Sequence, residues 1–237
     1  MITKKFKYSQ LIFGMFILLT VILFLGGCGK TYQVAKVRTS GFLGDYSQLH
    51  KGAKGEAQLL YINPAAKFGA YDKILMDPVK IYADKNGKLS KLPKKDVQNI
   101  LSYLDAAVRE QLKNQYDFVD RSGRGVMRLR LAITEAEGSM VVLDTVSSIL
   151  PIGMAISGIS RVAFGTYGPV GKAGIEAELL DSQTGERLAA AVGRRAGEKY
   201  TGKFDKFNKW RVIQGACDYW AVRLSHRLAE LRANDGR

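Results

Sequence analysis

The sequence predicts an α/β fold: a two-layer mixed sheet flanked by two long helices, with an apolar helical insertion. Three observations carry this prediction. Two long segments place apolar residues at the 3.6-residue spacing of a one-face-buried helix, and several shorter segments alternate apolar and polar residues as half-buried strands do. One uncharged stretch between strands fits neither pattern. At 237 residues and 46% hydrophobic content, the chain has the apolar material for a core that stands without disulfide or metal staples.

Taken in order, the first element is an address. Lys4, Lys5 and Lys7 precede an uncharged run from Leu11 to Leu25, which ends in Gly26, Gly27 and Cys28. Charge, then an apolar stretch, then small residues is the order of a secretory signal, and the run falls short of the roughly 20 residues that a spanning helix needs. Residues 1–27 are therefore expected to be a signal peptide.

The close of that run, L-G-G-C, resembles the lipobox of bacterial lipoproteins. The resemblance implies cleavage between Gly27 and Cys28, diacylglycerol on the Cys28 sulfur and acylation of the new amino group. One acyl chain binds a membrane marginally, whereas two or three anchor it stably. Gly29 stands where retention in the inner membrane prefers Asp, so the resemblance points to the outer membrane, with the domain facing the periplasm. Residues 28–55 are then expected to hold the lipidated Cys28 and a tether or irregular segment, and residues 56–237 a single α/β domain.

Charge narrows the partners. Removing residues 1–27 takes three Lys and no acid, leaving 33 basic against 22 acidic groups, net +11. Besides membrane lipid held through Cys28, such a surface suits anionic head groups, an acidic cell-wall polymer or an acidic envelope protein. Nucleic acid is not an expected partner outside the cytoplasm. Two His and two Cys make a multi-ligand zinc site improbable, and no cofactor is expected. With Cys28 acylated, Cys217 has no disulfide partner in the chain, and its place on the apolar face of a helix marks it as a small buried residue. Gly29, Lys30 and Thr31 read G-K-T, but a phosphate-binding loop needs Gly five positions before Gly29, where Phe24 stands.

Lys30 to about Leu49 is polar and aperiodic, suiting a tether followed by irregular structure. Tyr71 to Tyr82 has the β-branched and aromatic content of a strand, with Pro78 marking a bulge or sheet edge. Five Lys between Asp84 and Lys95 form a solvated loop or, as the sharper alternative, an anionic-surface contact. From Pro93 to about Gln115, Val97, Ile100, Leu101, Leu104, Val108 and Leu112 share one helix face, and Pro93 suits the first turn.

Val126 to Glu135 alternates, with Met127, Leu129, Leu131 and Ile133 on one side and Arg128, Arg130 and Thr134 on the other. Ala173 to Asp181 does the same, with Glu176 and Glu178 outward. The turn D-S-Q-T-G leads into Glu186 to Arg195, with Gly185 supplying positive φ. If these strands are neighbours, Arg128 and Arg130 can face Glu176 and Glu178, at a few tenths to about 1 kcal/mol per pair. Arg187, Arg194, Arg195 and Lys199 form a candidate anion site, against the ordinary alternative of exposed basic residues at a hairpin end. The last helix runs from about Asn208 to Leu231, with Ile213, Cys217, Trp220, Leu224, Leu228 and Leu231 on one stripe. Neither His50 nor His226 has a companion in a catalytic or ligating spacing.

Met140 to Phe164 interrupts the strand pattern. It contains 16 uncharged residues between Asp144 and Arg161, with Pro151, Gly153, Gly158 and four Ser. That is too short and broken for one spanning helix; two short helices hinged near Pro151 fit better. Three roles stay open for residues 140–164: a helical pair covering the sheet, a homo-oligomer or partner contact through small residues, and membrane insertion as one copy of a ring.

With these elements placed, the chain resembles the bacterial lipoprotein family termed domain of unknown function 3313. S-G-F-L-G-D-Y-S-x-L from Ser40 to Leu49, Y-D-K-I-L-M-D-P from Tyr71 to Pro78, and E-A-E-L-L-D-S-Q-T-G-E-R-L-A-A-A-V from Glu176 to Val192 carry the resemblance, which covers nearly the whole mature chain. It implies lipidation and a shared fold, and no catalytic residue. Gly193 departs from it, standing where an acid is expected before Arg194 and Arg195. The order of elements is also similar to the small α/β domain of periplasmic lipoproteins that assemble secretion channels or activate cell-wall synthases. The apolar insert is similar in layout to complement-resistance and surface-exclusion lipoproteins of conjugative plasmids. Both likenesses are at the level of fold alone.

The expected function is a non-enzymatic outer-membrane lipoprotein that binds other envelope components. The alternative within that class is a ring-forming lipoprotein using residues 140–164. An envelope hydrolase would need a nucleophile with its base, or paired carboxylates in a cleft, and the sequence offers no recognisable arrangement of either.

Overall fold

The computed structural model describes residues 31–34, 37–83, 89–137, 171–197 and 211–235. They form nine strands, β1 (Thr31–Gln33), β2 (His50–Lys51), β3 (Leu59–Ile62), β4 (Lys73–Met76), β5 (Lys80–Ile81), β6 (Asp117–Val119), β7 (Val126–Glu137), β8 (Lys172–Asp181) and β9 (Arg187–Gly197), and two long helices, α1 (Lys94–Leu112) and α2 (Arg211–Asn234). The expected mixed α/β architecture is present. The insertion at 140–164 lies outside the described residues, as do Gly27, Cys28 and the signal segment 1–27.

The strands make one mixed sheet in the order β2-β3-β9-β8-β7-β4-β6, with β1 also on β9 and β5 also on β7. Pairing from β2 to β8 and on to β7 is antiparallel, whereas β4 and β5 lie parallel to β7, and β6 parallel to β4. Helix α1 crosses over between the parallel strands β4 and β6, the length of connection that parallel pairing requires. Pro78 has the expected effect: the Tyr71–Tyr82 stretch splits into β4 and β5, because a proline lacks the donor that would continue the ladder.

Helix α1 begins where Pro93 sits as its N-cap. It buries Ile100, Leu104, Val108 and Leu112 against the inner face of the sheet, where Met127, Leu129, Leu131, Ile133, Ile175 and Leu179 are also buried. Helix α2 packs beside it on the same face, burying Ile213, Cys217, Ala221 and Leu228. The two helices are joined by Tyr103 donating to Asp218 at 2.9 Å, and Gln115, in the turn just after α1, donates to Ser225 of α2 at 2.6 Å. Cys217 is fully buried as expected, and burial pushes its thiol up to about 12, far from the reactive thiolate range.

The outer face holds a second, smaller cluster of Phe42, Leu43, Ala132, Ala190 and Val192. Here the structure departs from the expected irregular tether. Residues 31–33 pair with β9, and the Ser40–Leu49 stretch lies across the outer face. Strands β1, β2, β3 and β6 are two to four residues long, shorter than the run needed for a readable alternation.

Covering the outer face corrects the expectation that Glu176 and Glu178 point into solvent: they are 0% and 3% exposed. A carboxylate taken out of water needs donors or cations. Glu178 pairs with Arg130, its register partner across β7, and with Arg187 at 2.7 Å. Glu176 accepts from the Ser40 backbone N–H and the Tyr46 hydroxyl, each at 2.6 Å. Of the anticipated Arg–Glu pairs, Arg130 with Glu178 forms. Arg128 instead holds Asp77 in a two-pronged bond of 2.8 and 2.9 Å, because β4, not β8, places the nearer acid.

Candidate functional site

The structure divides the cationic set Arg187, Arg194, Arg195 and Lys199, so the anticipated four-residue anion site does not form. Arg187 is consumed on the outer face, donating to Glu178 and to the Leu43 and Asp45 carbonyls at 2.8 to 2.9 Å. Arg194 is paired with Glu135. Period-two alternation sends Arg195 to the opposite face, toward α2, and Lys199 lies outside the described residues. His50 is exposed on β2, and His226 is exposed on α2.

Between the sheet and α2 the core does not close. A cavity of about 140 Å³ is floored by Ala177, Ala189, Ala191 and Gly193 and walled by Leu60, Ile62, Trp220 and Leu224. Its origin is in the register. Ala177 faces Ala191, and Leu179 faces Ala189, across the β8–β9 pair, so small side chains fall side by side on the inner face. The alanines are half-buried although they lie under a helix. Four residues of the α2 stripe read from sequence, Trp220, Leu224, Leu228 and Leu231, line this cavity, while Ile213 and Cys217 fill the closed part of the core. The departure at Gly193 coincides with close packing: a Cβ there would lie 3.1 Å from Trp220 Nε1 and 3.4 Å from Ile175 Cγ2, so a side chain at this position requires Trp220 to shift by a few tenths of an ångström.

The mouth of the cavity is cationic. Arg195 is 8% exposed. Its Nε donates to Thr31 Oγ1 at 2.6 Å, its Nη2 donates to the Thr31 carbonyl, and its guanidinium lies 3.5 Å from the centre of the Tyr219 ring. Burial lowers its pKa against the partial compensation of Tyr219. Among the described residues no carboxylate lies at ion-pair distance from Arg195, nor from Arg223. Both residues also line a more open hollow of about 370 Å³ with Thr31, Val222 and His226. Asp218, on the same hollow, is engaged by Tyr103. Arg227 pairs with Glu56 at 3.0 Å across the mouth, and its buried Nε has no hydrogen-bond partner.

Sequence reading missed this site. Arg223 lies off the apolar stripe of α2, and alanines in a strand carry no chemistry of their own, so neither marks a site in the sequence. The available signal was the run of small residues at alternate positions, Ala189, Ala191 and Gly193, beneath an aromatic on the helix stripe.

Three carboxylates of the sheet are engaged in bonds that hold the fold: Glu135 with Arg194, Glu178 with Arg130 and Arg187, Glu176 with Tyr46 and Ser40. Among the described residues no helix is long and apolar enough to cross a membrane.

A family model described as a protein of unknown function, DUF3313, matches residues 38–224. No curated protein matches the chain. Among solved structures, the PelC dodecamer from Paraburkholderia phytofirmans is similar at 15% identity and a TM-score of 0.39, covering 71% of this chain and 94% of that one. A DUF4136 family protein from Bacteroides thetaiotaomicron is similar at 11% identity and a TM-score of 0.32, covering 73% of this chain and 95% of that one. Likeness at this level carries no inference about activity, partner or assembly.

Proposed function

The chain belongs to the DUF3313 family, and from that premise we propose that it is a non-enzymatic lipoprotein of the bacterial outer membrane, anchored through Cys28 and acting as an envelope binding module. The observation that carries the reading is where the ordered sheet begins. Strand β1 starts at Thr31 and pairs with the end of β9, Thr31 opposite Gly197. Three residues separate Thr31 from Cys28, a reach of at most about 11 Å for a fully extended chain. An acylated Cys28 would hold this corner of the domain against the bilayer, with Thr31 already bonded to Arg195. The L-G-G-C ending, the basic net charge of the mature chain and Gly29 support lipidation, anionic partners and the outer membrane in turn. The domain then presents its opposite end to the periplasm, where an envelope protein or cell-wall polymer is the partner.

The test is Cys28→Ser in the native host. We expect an uncut precursor that incorporates no labelled palmitate; a normally processed variant would sink the anchor.

A second reading, a ring whose members meet through residues 140–164, is favoured by the uncharged run between Asp144 and Arg161. The mass of the native particle in mild detergent decides it. A large uniform particle that dissociates on deletion of 140–164 supports the ring, and a monomer removes it.

A further inference from the structure

We propose that the cavity between α2 and the sheet binds the apolar chain of an anionic amphiphile, with the acidic head group held at its mouth by Arg195 and Arg223. The inference deepens the envelope-binding reading by naming a ligand class. Two independent features of the molecule converge on it.

The first is space. An apolar cavity of about 140 Å³ is the size that stays dry and takes a small hydrocarbon, on the order of six carbons. Ordinary cores are packed without such voids, because lining atoms forfeit dispersion contacts. Here the void follows from the aligned small residues Ala177, Ala189 and Ala191, each of which a larger apolar side chain could replace to fill it.

The second is charge. A buried guanidinium without a carboxylate is costly, and elsewhere among the described residues even partly buried arginines are matched: Arg187 and Arg130 by Glu178, Arg194 by Glu135. Arg195, at 8% exposure, has no such match among the described residues. Arg223 shares its position on the rim and among the described residues has no carboxylate at ion-pair distance, feeling Glu230 only from further along α2, and Arg227 keeps a buried Nε with no acceptor. An anionic head group supplies the missing charge and acceptors, and guanidinium geometry suits carboxylate and phosphate oxygens. A neutral apolar molecule would fill the space and leave the charge unmatched. A cationic amphiphile would add to it.

The experiment uses the full chain purified from membranes and transferred to amphipol. It is incubated in turn with hexanoate, hexanol and hexyltrimethylammonium, and bound molecules are counted by native mass spectrometry. We expect one hexanoate per chain, bound roughly tenfold more tightly than either of the other two. Ala191→Leu should abolish the hexanoate adduct while thermal unfolding stays at or above the wild-type temperature. Arg223→Ala should lower hexanoate affinity roughly tenfold and leave hexanol unchanged; this variant carries the test if Ala191→Leu does not fold. No adduct, equal binding of all three compounds, or an adduct that survives Ala191→Leu overturns the proposal. The same spectrum reports the covalent mass on Cys28. Acyl mass without a hexanoate adduct defeats the cavity inference alone, and an adduct on an unacylated chain defeats the anchor alone.

Discussion

The Tyr46 hydroxyl donates to Glu176 Oε2 at 2.6 Å, joining a loop to a strand 130 residues away in sequence. Burial, and then the bond to Glu176, raise the Tyr46 pKa. The Ser40 N–H holds the other oxygen of the same carboxylate, and Arg187 anchors the loop through the Leu43 and Asp45 carbonyls. Two of the sequence stretches that mark the family, Ser40–Leu49 and Glu176–Val192, are therefore the two sides of one closure over the outer face of the sheet.

Tyr46→Phe removes the donor and leaves a fully buried carboxylate oxygen unsatisfied. The expected loss is about 1–3 kcal/mol, the cost of orphaning a buried polar atom, read as a lowered urea midpoint. Hydrogen exchange should rise first at Gly41 and Leu43, whose amides also donate to the Tyr46 oxygen. An unchanged midpoint would mean that the closure contributes nothing.

Glu178→Ala leaves Arg130 and Arg187 facing an apolar site. Breaking a buried pair by removing one partner costs about 3–5 kcal/mol; with Arg130 30% exposed, a loss of about 2–4 kcal/mol is expected here. Because Arg187 shares that acid, Glu178→Ala and Arg187→Ala should combine to less than the sum of their separate losses. Additive losses in a urea-denaturation cycle would refute the coupling.

Asp181 closes the β8–β9 turn, accepting from the Gln183 and Thr184 backbone amides at 2.9 and 2.8 Å and from Tyr71 at 3.0 Å. The Thr184 amide is the main cause holding its carboxyl below the usual value. A depressed folded pKa stabilises above the unfolded value, so the advantage over Asp181→Asn should be full at neutral pH. It should be lost as pH falls below about 4 and on through the lowered folded value. Tyr71 titrates at the other end: burial and then Asp181 push it to about 12. Its contribution is present below about pH 10 and lost as pH rises through the folded value. Thermal unfolding of both proteins across this range checks the two signs.

Ala191→Leu puts a larger side chain into the cavity. In a packed core such a change costs about 1–3 kcal/mol. Beside this void it should be neutral or stabilise by up to about 1 kcal/mol, seen as an unchanged or higher melting temperature. A fall of several degrees would show that the space is not available.

Residues on long regular elements were legible from sequence alone. The stripe Ile100, Leu104, Val108, Leu112, the alternation from Met127 to Ile133 and the turn ending in Gly185, with φ of +73°, all stand where periodicity and turn chemistry put them. Patterns of spacing are local, so the chain displays them directly. The basic charge of the chain and the sequence order of charge, apolar run and small residues before Cys28 are equally local.

Which charges survive as free charges was decided only by tertiary structure. Sequence placed Glu176 and Glu178 on the outer side of β8, and it could not show that a loop from Ser40 to Leu49 would bury them. It grouped Arg187, Arg194 and Arg195 with Lys199, whereas alternation and the choice of neighbouring strand gave the first two to Glu178 and Glu135 and left Arg195 beneath α2 with no acid at ion-pair distance among the described residues. The alanine floor of the cavity likewise depends on the register of β8 against β9. Pairing partners and register are contacts between residues far apart in the chain, and their energies come from burial and Coulomb interactions that exist only once the sheet has formed.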